Sequence, residues 1–186
     1  MEIKSMSDYD IKNGDLTGSY WSKPIPEFKF ALREDIRDDK RFLPTRGEPF
    51  ATGYDVRACP EDRKDIILRP GQYFKIPLGI KSFCPEGWYY QLHPRSSSFA
   101  KKHMHNLIGI IDEHYSLELL FAGQYVPDIN AMGKDLVIKF GDAVGQIVPA
   151  KRIDVIIKEI SNKEYDDLCR KRISIRTGGF GSTDNK

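Results

Sequence analysis

The sequence predicts an all-β fold, a sandwich or barrel of many short strands. Two features predict it. Short apolar runs recur along the chain, several alternating apolar and polar residues as half-buried strands do. Tyr73-Phe74-Lys75-Ile76 and Leu136-Val137-Ile138-Lys139-Phe140 are examples. Gly and Pro turn signals separate the runs, among them Arg69-Pro70-Gly71, Pro85-Glu86-Gly87 and Phe140-Gly141-Asp142. The 186 residues suit one domain, and 40% hydrophobic with 30% charged residues is a globular balance.

Residues 1–27 read as a polar N-terminal extension, closed by Lys23-Pro24-Ile25-Pro26, where each proline holds its predecessor extended. That extension has no apolar core and does not resemble a secretory signal. Strands are expected at Phe28–Leu32, Ile66–Leu68, Gln72–Pro77, Trp88–Leu92, Leu107–Ile111, Leu117–Phe121, Leu136–Phe140, Gly145–Pro149 and Val155–Ile160. Ala51–Val56 and Gly141–Gln146 each read as a turn feeding a strand. One helix is expected after Ser161, whose hydroxyl caps a turn closed by Glu164 and which runs to about Lys171. Residues 28–174 form the expected β domain, and 175–186 a Gly-rich C-terminal arm.

Net charge is +2, too small to argue for nucleic acid, and no apolar run is long enough to span a membrane. Cys59, Cys84 and Cys169 are odd in number and lack a CxxC pair, which favours a reducing compartment over a disulfide framework. Residues 151–176 carry eight basic and five acidic side chains, the pattern of a solvated face.

Three segments carry chemistry. Gly178-Gly179-Phe180-Gly181-Ser182-Thr183 supplies backbone N–H groups and hydroxyls that can curl around an anion, with Phe180 to stack on a flat ring and Arg176 to clamp phosphate; a frayed tail has the same composition. Pro94-Arg95-Ser96-Ser97-Ser98-Phe99-Ala100-Lys101-Lys102 follows a strand and offers either a phosphate site or a polar turn. Asp112, at the end of an apolar run, reads as a general base or as a turn former. His103-x-His105 is the closest histidine pair, and no third ligand has metal-site spacing.

In order along the chain, five segments resemble the five motifs of the trimeric deoxyuridine triphosphatases (dUTPases). They are Ala51–Val56 (family pattern A-x-G-Y-D-L), Pro94-Arg95-Ser96 (P-R-S-G-L-A), Asn106 to Tyr115 (N-L-V-G-x-I-D-x-x-Y), Gly141-Asp142-x-x-x-Gln146, and Gly178–Thr183. The resemblance implies a jelly-roll-like β-clip fold with at most one or two short helices, assembled as a homotrimer with shared active sites. It implies Mg2+-dependent hydrolysis of dUTP to dUMP and pyrophosphate, in nucleotide metabolism, with the metal held by the triphosphate and not directly by protein. Asp112 would activate the attacking water. Asn106 would bind the uracil edge, Tyr115 would pack under the deoxyribose, and Arg95, Ser96 and Gln146 would hold phosphates. Ser97 and Ile111 would complete the substrate contacts and Asp55 would support them. From the arm, Phe180 would cover the base while Arg176, Gly181, Ser182 and Thr183 would grip the outer phosphates. A cytoplasmic location follows, in the host cytoplasm if the source is viral. The related dCTP deaminases share the fold and an Arg-Ser-Ser motif, and a non-catalytic nucleotide-binding or signalling relative is a further alternative.

The sequence departs from the family in four places. Tyr115-Ser116-Leu117 stands for Tyr-x-Gly, and Ser97-Ser98-Phe99 follows Ser96 and adds hydroxyls near the phosphates. Arg176 lies one residue closer to the arm phenylalanine, and Asp184 follows Thr183 where the family has glycine.

Overall fold

The computed structural model describes residues 26–129 and 133–172. These fall in two compact units, divided after Arg152. The first unit contains eleven strands among its described residues: β1 Lys29–Leu32, β2 Tyr54–Arg57, β3 Ile66–Leu68, β4 Tyr73–Pro77, β5 Ile80–Phe83, β6 Trp88–Pro94, β7 Met104–Asn106, β8 Gly109–Ile111, β9 Leu120–Tyr125, β10 Leu136–Ile138 and β11 Ala143–Lys151. A five-residue helix, α1 (Ser96–Ala100), links β6 to β7. In the second unit, α2 (Asn162–Arg170) is capped as expected, the Glu164 N–H donating to the Ser161 hydroxyl.

Four strands form a sheet in the order β2-β11-β6-β8, and three form a second in the order β4-β9-β7. The pairs β1-β5 and β3-β10 complete the unit, and every pairing is antiparallel. Alternation decides which face each strand buries. Phe74 and Ile76 are buried while Tyr73 and Lys75 are exposed, and on β6 it is Tyr90 and Leu92 that point inward. Tyr90, Phe121, Leu68, Ile76, Met104 and Val144 are among the fully enclosed side chains of one core cluster. Apolar burial on this scale is the dominant favourable term in folding. Turns fall where Gly and Pro place them. Gly87 closes the turn before β6 at φ 74°, a conformation that a side chain disfavours.

Several expectations are corrected. Val155–Ile160 pairs with no strand among the described residues, and Ile156 and Ile157 are 97% and 93% exposed. A β-branched run reads as a strand, but a strand needs a hydrogen-bonding partner that local pattern does not supply. The strand expected at Leu117 begins at Leu120, and the one expected at Leu107 begins at Gly109. Strands β5 and β7 and helix α1 were not expected.

Helix α1 explains a departure from the family pattern. Ser98 is 1% exposed, and its hydroxyl donates to the Val144 carbonyl at 2.7 Å. It is therefore engaged in the core and is not an added phosphate donor. Ser98→Ala should lower unfolding stability by about 1–2 kcal/mol, because it leaves that buried carbonyl short of a partner. An unchanged denaturant midpoint would show the hydroxyl to be idle.

Candidate active site

Three of the five segments meet at the C-terminal end of β6. The β2-β11-β6 ladder sets Gln146 opposite Asp55 on one side and His93 on the other. Asp55 and Arg95 form an ion pair, Arg95 Nε lying 3.1 Å from Asp55 Oδ1, with both side chains partly shielded. Such a pair adds little stability but fixes the direction of the guanidinium. The Gln146 amide donates to the Pro94 carbonyl at 3.2 Å. Gly53 leaves room for the Gln146 carboxamide: a Cβ on it would lie 2.1 Å from Gln146 Oε1, so that side chain would have to move. Ser96 and Ser97 open α1 directly after Arg95, Ser96 exposed and Ser97 half-buried.

A second pair ties α1 to the fourth segment, Lys102 Nζ lying 2.9 Å from Asp142. Burial alone would raise the Asp142 carboxyl, but hydrogen bonds from Lys102 and from the Lys139 N–H outweigh it and hold the group below its ordinary value. Lys102 closes the donor-rich stretch read from the sequence, where it has no assigned role; its partner Asp142 is 40 residues away. The grouping of Asp55, Arg95, Ser96, Ser97 and Gln146 is thus an arginine, two hydroxyls and an amide on one edge, which suits the oxygens of a polyanion.

The third segment is divided. Asn106 ends β7 opposite Gly123 of β9, and the backbones touch: a Cβ on Gly123 would lie 2.9 Å from the Asn106 Cα. The Asn106 carboxamide is buried, and neither its oxygen nor its nitrogen has a hydrogen-bond partner. Leaving either group unpaired costs roughly 1–3 kcal/mol. The residue borders a cleft of about 870 Å³, with Lys75, Pro94, Phe99, Leu107 and Ile108 also on its walls. A ligand edge with a donor beside an acceptor would satisfy both atoms at once.

Asp112 lies elsewhere. It is exposed, follows β8, and its carbonyl accepts the Tyr115 N–H at 3.0 Å to close a turn. That turn separates Asp112 from His114, which the period of two alone would place on one strand face. The Tyr115 ring packs on the core, and its hydroxyl donates to the Glu118 carbonyl at 3.4 Å. Glu118 in turn accepts from the Gly79 N–H at 2.8 Å and from Arg33 at 3.1 Å. Ile111 is half-buried and pairs with Tyr90 of β6. Arg95 is five residues beyond Tyr90, and Asp112 is one residue further in the opposite sense. At about 3.3 Å per residue they are roughly 20 Å apart along the strand.

The described residues therefore bring Asp55, Arg95, Ser96, Ser97 and Gln146 together and set Asp112 and Tyr115 at the other end of β6. Arg176, Phe180, Gly181, Ser182 and Thr183 lie outside the described residues. Among the described residues no group of three His, Cys, Asp or Glu side chains is arranged to hold a metal ion. His103 lies 3.9 Å from Asp128, and His105 packs edge-on to the Phe99 ring.

Comparison with known proteins agrees with this architecture. The family model described as dUTPase matches residues 39–184. The deoxyuridine 5′-triphosphate nucleotidohydrolase of Debaryomyces hansenii is 33% identical over 157 residues, covering 84% of this chain and 89% of the relative. The enzyme of the same name from Candida albicans is 33% identical, covering 82% and 87%. In fold, the chain is similar to the Streptococcus mutans dUTPase, with a TM-score of 0.58, 23% identity, and coverage of 68% of this chain and 98% of that one. It is also similar to a Staphylococcus bacteriophage 80alpha dUTPase variant with dUpNHpp, with a TM-score of 0.63, 18% identity, and coverage of 86% and 99%. Antiparallel sheets built from short strands, two short α-helices and a match over most of its length show that the chain belongs to the dUTPase family.

Proposed function

We propose that this chain is a dUTP diphosphatase, hydrolysing dUTP to dUMP and pyrophosphate. The observation that carries the reading is the unpartnered Asn106 carboxamide beside the cleft, whose donor and acceptor complement the N–H and carbonyl of a uracil edge. Asp112 takes a proton from water as the water oxygen bonds to the α-phosphorus. The bond from that phosphorus to its bridging oxygen breaks, and pyrophosphate leaves with the electron pair. The catalytic task is placement and charge stabilisation, since phosphoryl transfer asks little covalent chemistry of a protein.

Arg95, Ser96, Ser97 and Gln146 hold phosphate oxygens, and Asp55 aims Arg95 at them. Tyr115 packs under the deoxyribose, Ile111 lines the site, and Asn106 reads the base. The arm, residues 175–186, closes over the site: Phe180 covers the uracil, and Arg176, Gly181, Ser182 and Thr183 contact the outer phosphates. Arg95, Ser96, Ser97 and Gln146 are donors of the kind that bind phosphate oxygens; Mg2+, held by the triphosphate itself, would supply charge neutralisation for the pyrophosphate group. One neighbour in fold, a phage phi11 dUTPase variant, is described with a structural Mg(II) ion.

The roughly 20 Å between Asp112 and Arg95 exceeds what the two side chains can reach toward one phosphorus. The reading therefore requires that one chain supply Asp112 and a second supply Arg95, as in a homotrimer with shared sites. The three free thiols suit the reducing cytoplasmic setting read from the sequence, and burial pushes Cys59 and Cys84 up to about 11, which keeps both protonated and unreactive.

Asp112→Asn should reduce turnover about a thousand-fold or more while binding of a non-hydrolysable dUTP analogue persists. The check is pyrophosphate release; ammonia released from dCTP instead would place the chain with the deaminases. Asn106→Ala should raise KM roughly ten-fold or more, the effect of losing a paired polar contact, and an unaltered KM would remove Asn106 from base recognition. Mixing Asp112→Asn chains with Arg95→Ala chains, each inactive alone, should restore roughly a quarter of the wild-type turnover. In random trimers that fraction of sites draws both intact residues from different chains. No recovery after co-assembly would put the whole site in one chain.

A further inference from the structure

Glu113 follows the proposed base and is not needed for the chemistry above, yet it is the more tightly held of the two acids. Its side chain is only 12% exposed. Its Oε2 accepts from the Gly87 N–H at 3.0 Å and from Arg152 Nη1 at 2.6 Å. The Arg152 N–H donates in turn to the Gly87 carbonyl at 2.8 Å. Three separate pieces of chain converge on this carboxylate: the turn after β8, the turn before β6, and the residue that follows β11. A largely buried carboxylate is costly unless donors surround it, and a single removable partner would leave it uncompensated. Asp112, Glu113 and Arg152 share a cleft of about 310 Å³ with Tyr89 and His114.

We propose that Glu113 and Arg152 are a positioning pair for Asp112. Glu113 pins the turn that presents the base, and Arg152 cancels the negative charge that Glu113 would otherwise set beside it. This inference rests on the reading of Asp112 as the base. Within the chain, the charged and titratable groups around Asp112 are Glu113, His114 and Tyr115 on its own turn, Tyr89 on β6, and Arg152 after β11; on the proposed reading Arg95 of a second copy and the triphosphate face it too, and both are common to every variant compared. His114 is 94% exposed and 3.9 Å from Glu113, so solvent screens its contribution, and it is common to every variant compared.

The pair predicts opposite shifts. Glu113→Gln removes a negative charge from beside Asp112, which favours the Asp112 carboxylate and moves the acid limb of the kcat profile to lower pH. Arg152→Gln leaves Glu113 unopposed and moves the limb to higher pH. Each shift should be roughly half a pH unit, for one charge several ångströms away near the surface. The double variant Glu113→Gln with Arg152→Gln should return the limb toward its wild-type position. Glu113→Ala, which removes both hydrogen bonds, should lower kcat about ten-fold with KM for Mg·dUTP little changed, and Glu113→Gln should recover part of that loss. Melting temperature and oligomeric state, measured on each full-length variant, separate these effects from loss of fold. Limbs that coincide with wild type, or kcat and KM that worsen together in step with the melting temperature, would overturn the inference. A wild-type profile with no acid limb, or an active Asp112→Asn variant, would instead remove the base reading and the inference with it.

Discussion

Strand β6 sets the separation between the two groups of candidate site residues that the structure describes. It runs through the four-stranded sheet between β11 and β8, and its inward residues Tyr90 and Leu92 are locked in the core. A strand so held can neither shorten nor bend to bring its ends together. The donors for a polyanion gather beyond Pro94, and the turn bearing Asp112 sits beyond the opposite end. Reactions at phosphorus fall off steeply when the attacking group is misplaced by even an ångström. On the proposed reading, a chain with this frame acts on one phosphorus only in company with another copy, and the length of one strand becomes an argument about assembly.

At the donor end, register does the positioning. Gln146 lies between Asp55 and His93 because β11 shifts register between Ala143 and Gly145. Without that irregularity a slip of one residue would turn the amide to the other face. Small residues allow the approach. Gly53 admits the Gln146 side chain, and Gly145 admits the Phe121 ring, which would lie 2.7 Å from a Cβ placed there.

What was legible in the sequence is what local chemistry decides. Period-two runs became β4 and β10, and Ser161 with Glu164 capped a helix, because alternation and capping act within a few residues. The order of five short segments carried the family, and that information is independent of how they pack. What stayed hidden depends on partners distant in the chain. Ser98 reads as a spare hydroxyl until Val144 is found above it, 46 residues later. Glu113 reads as a turn residue until Gly87 and Arg152 are found at its carboxylate. Val155–Ile160 reads as a strand because its residues favour one, although nothing among the described residues pairs with it.

Base selection poses a constraint that Asn106 alone does not meet. A carboxamide that turns over by 180° exchanges its donor and acceptor, so a freely rotating Asn106 would accept a uracil edge or a cytosine edge equally well. Discrimination on the proposed reading requires polar groups that cannot turn over, and backbone amides are such groups. The turn after Asn106 is suited to that task, since the Leu107 N–H donates to the Ala122 carbonyl at 3.0 Å and so fastens the turn to β9. The close contact between Gly123 and Asn106 holds the other side. A rigid backbone edge beside one adaptable side chain penalises the wrong base through an unpaired buried group, which is the most effective form of rejection open to a binding site.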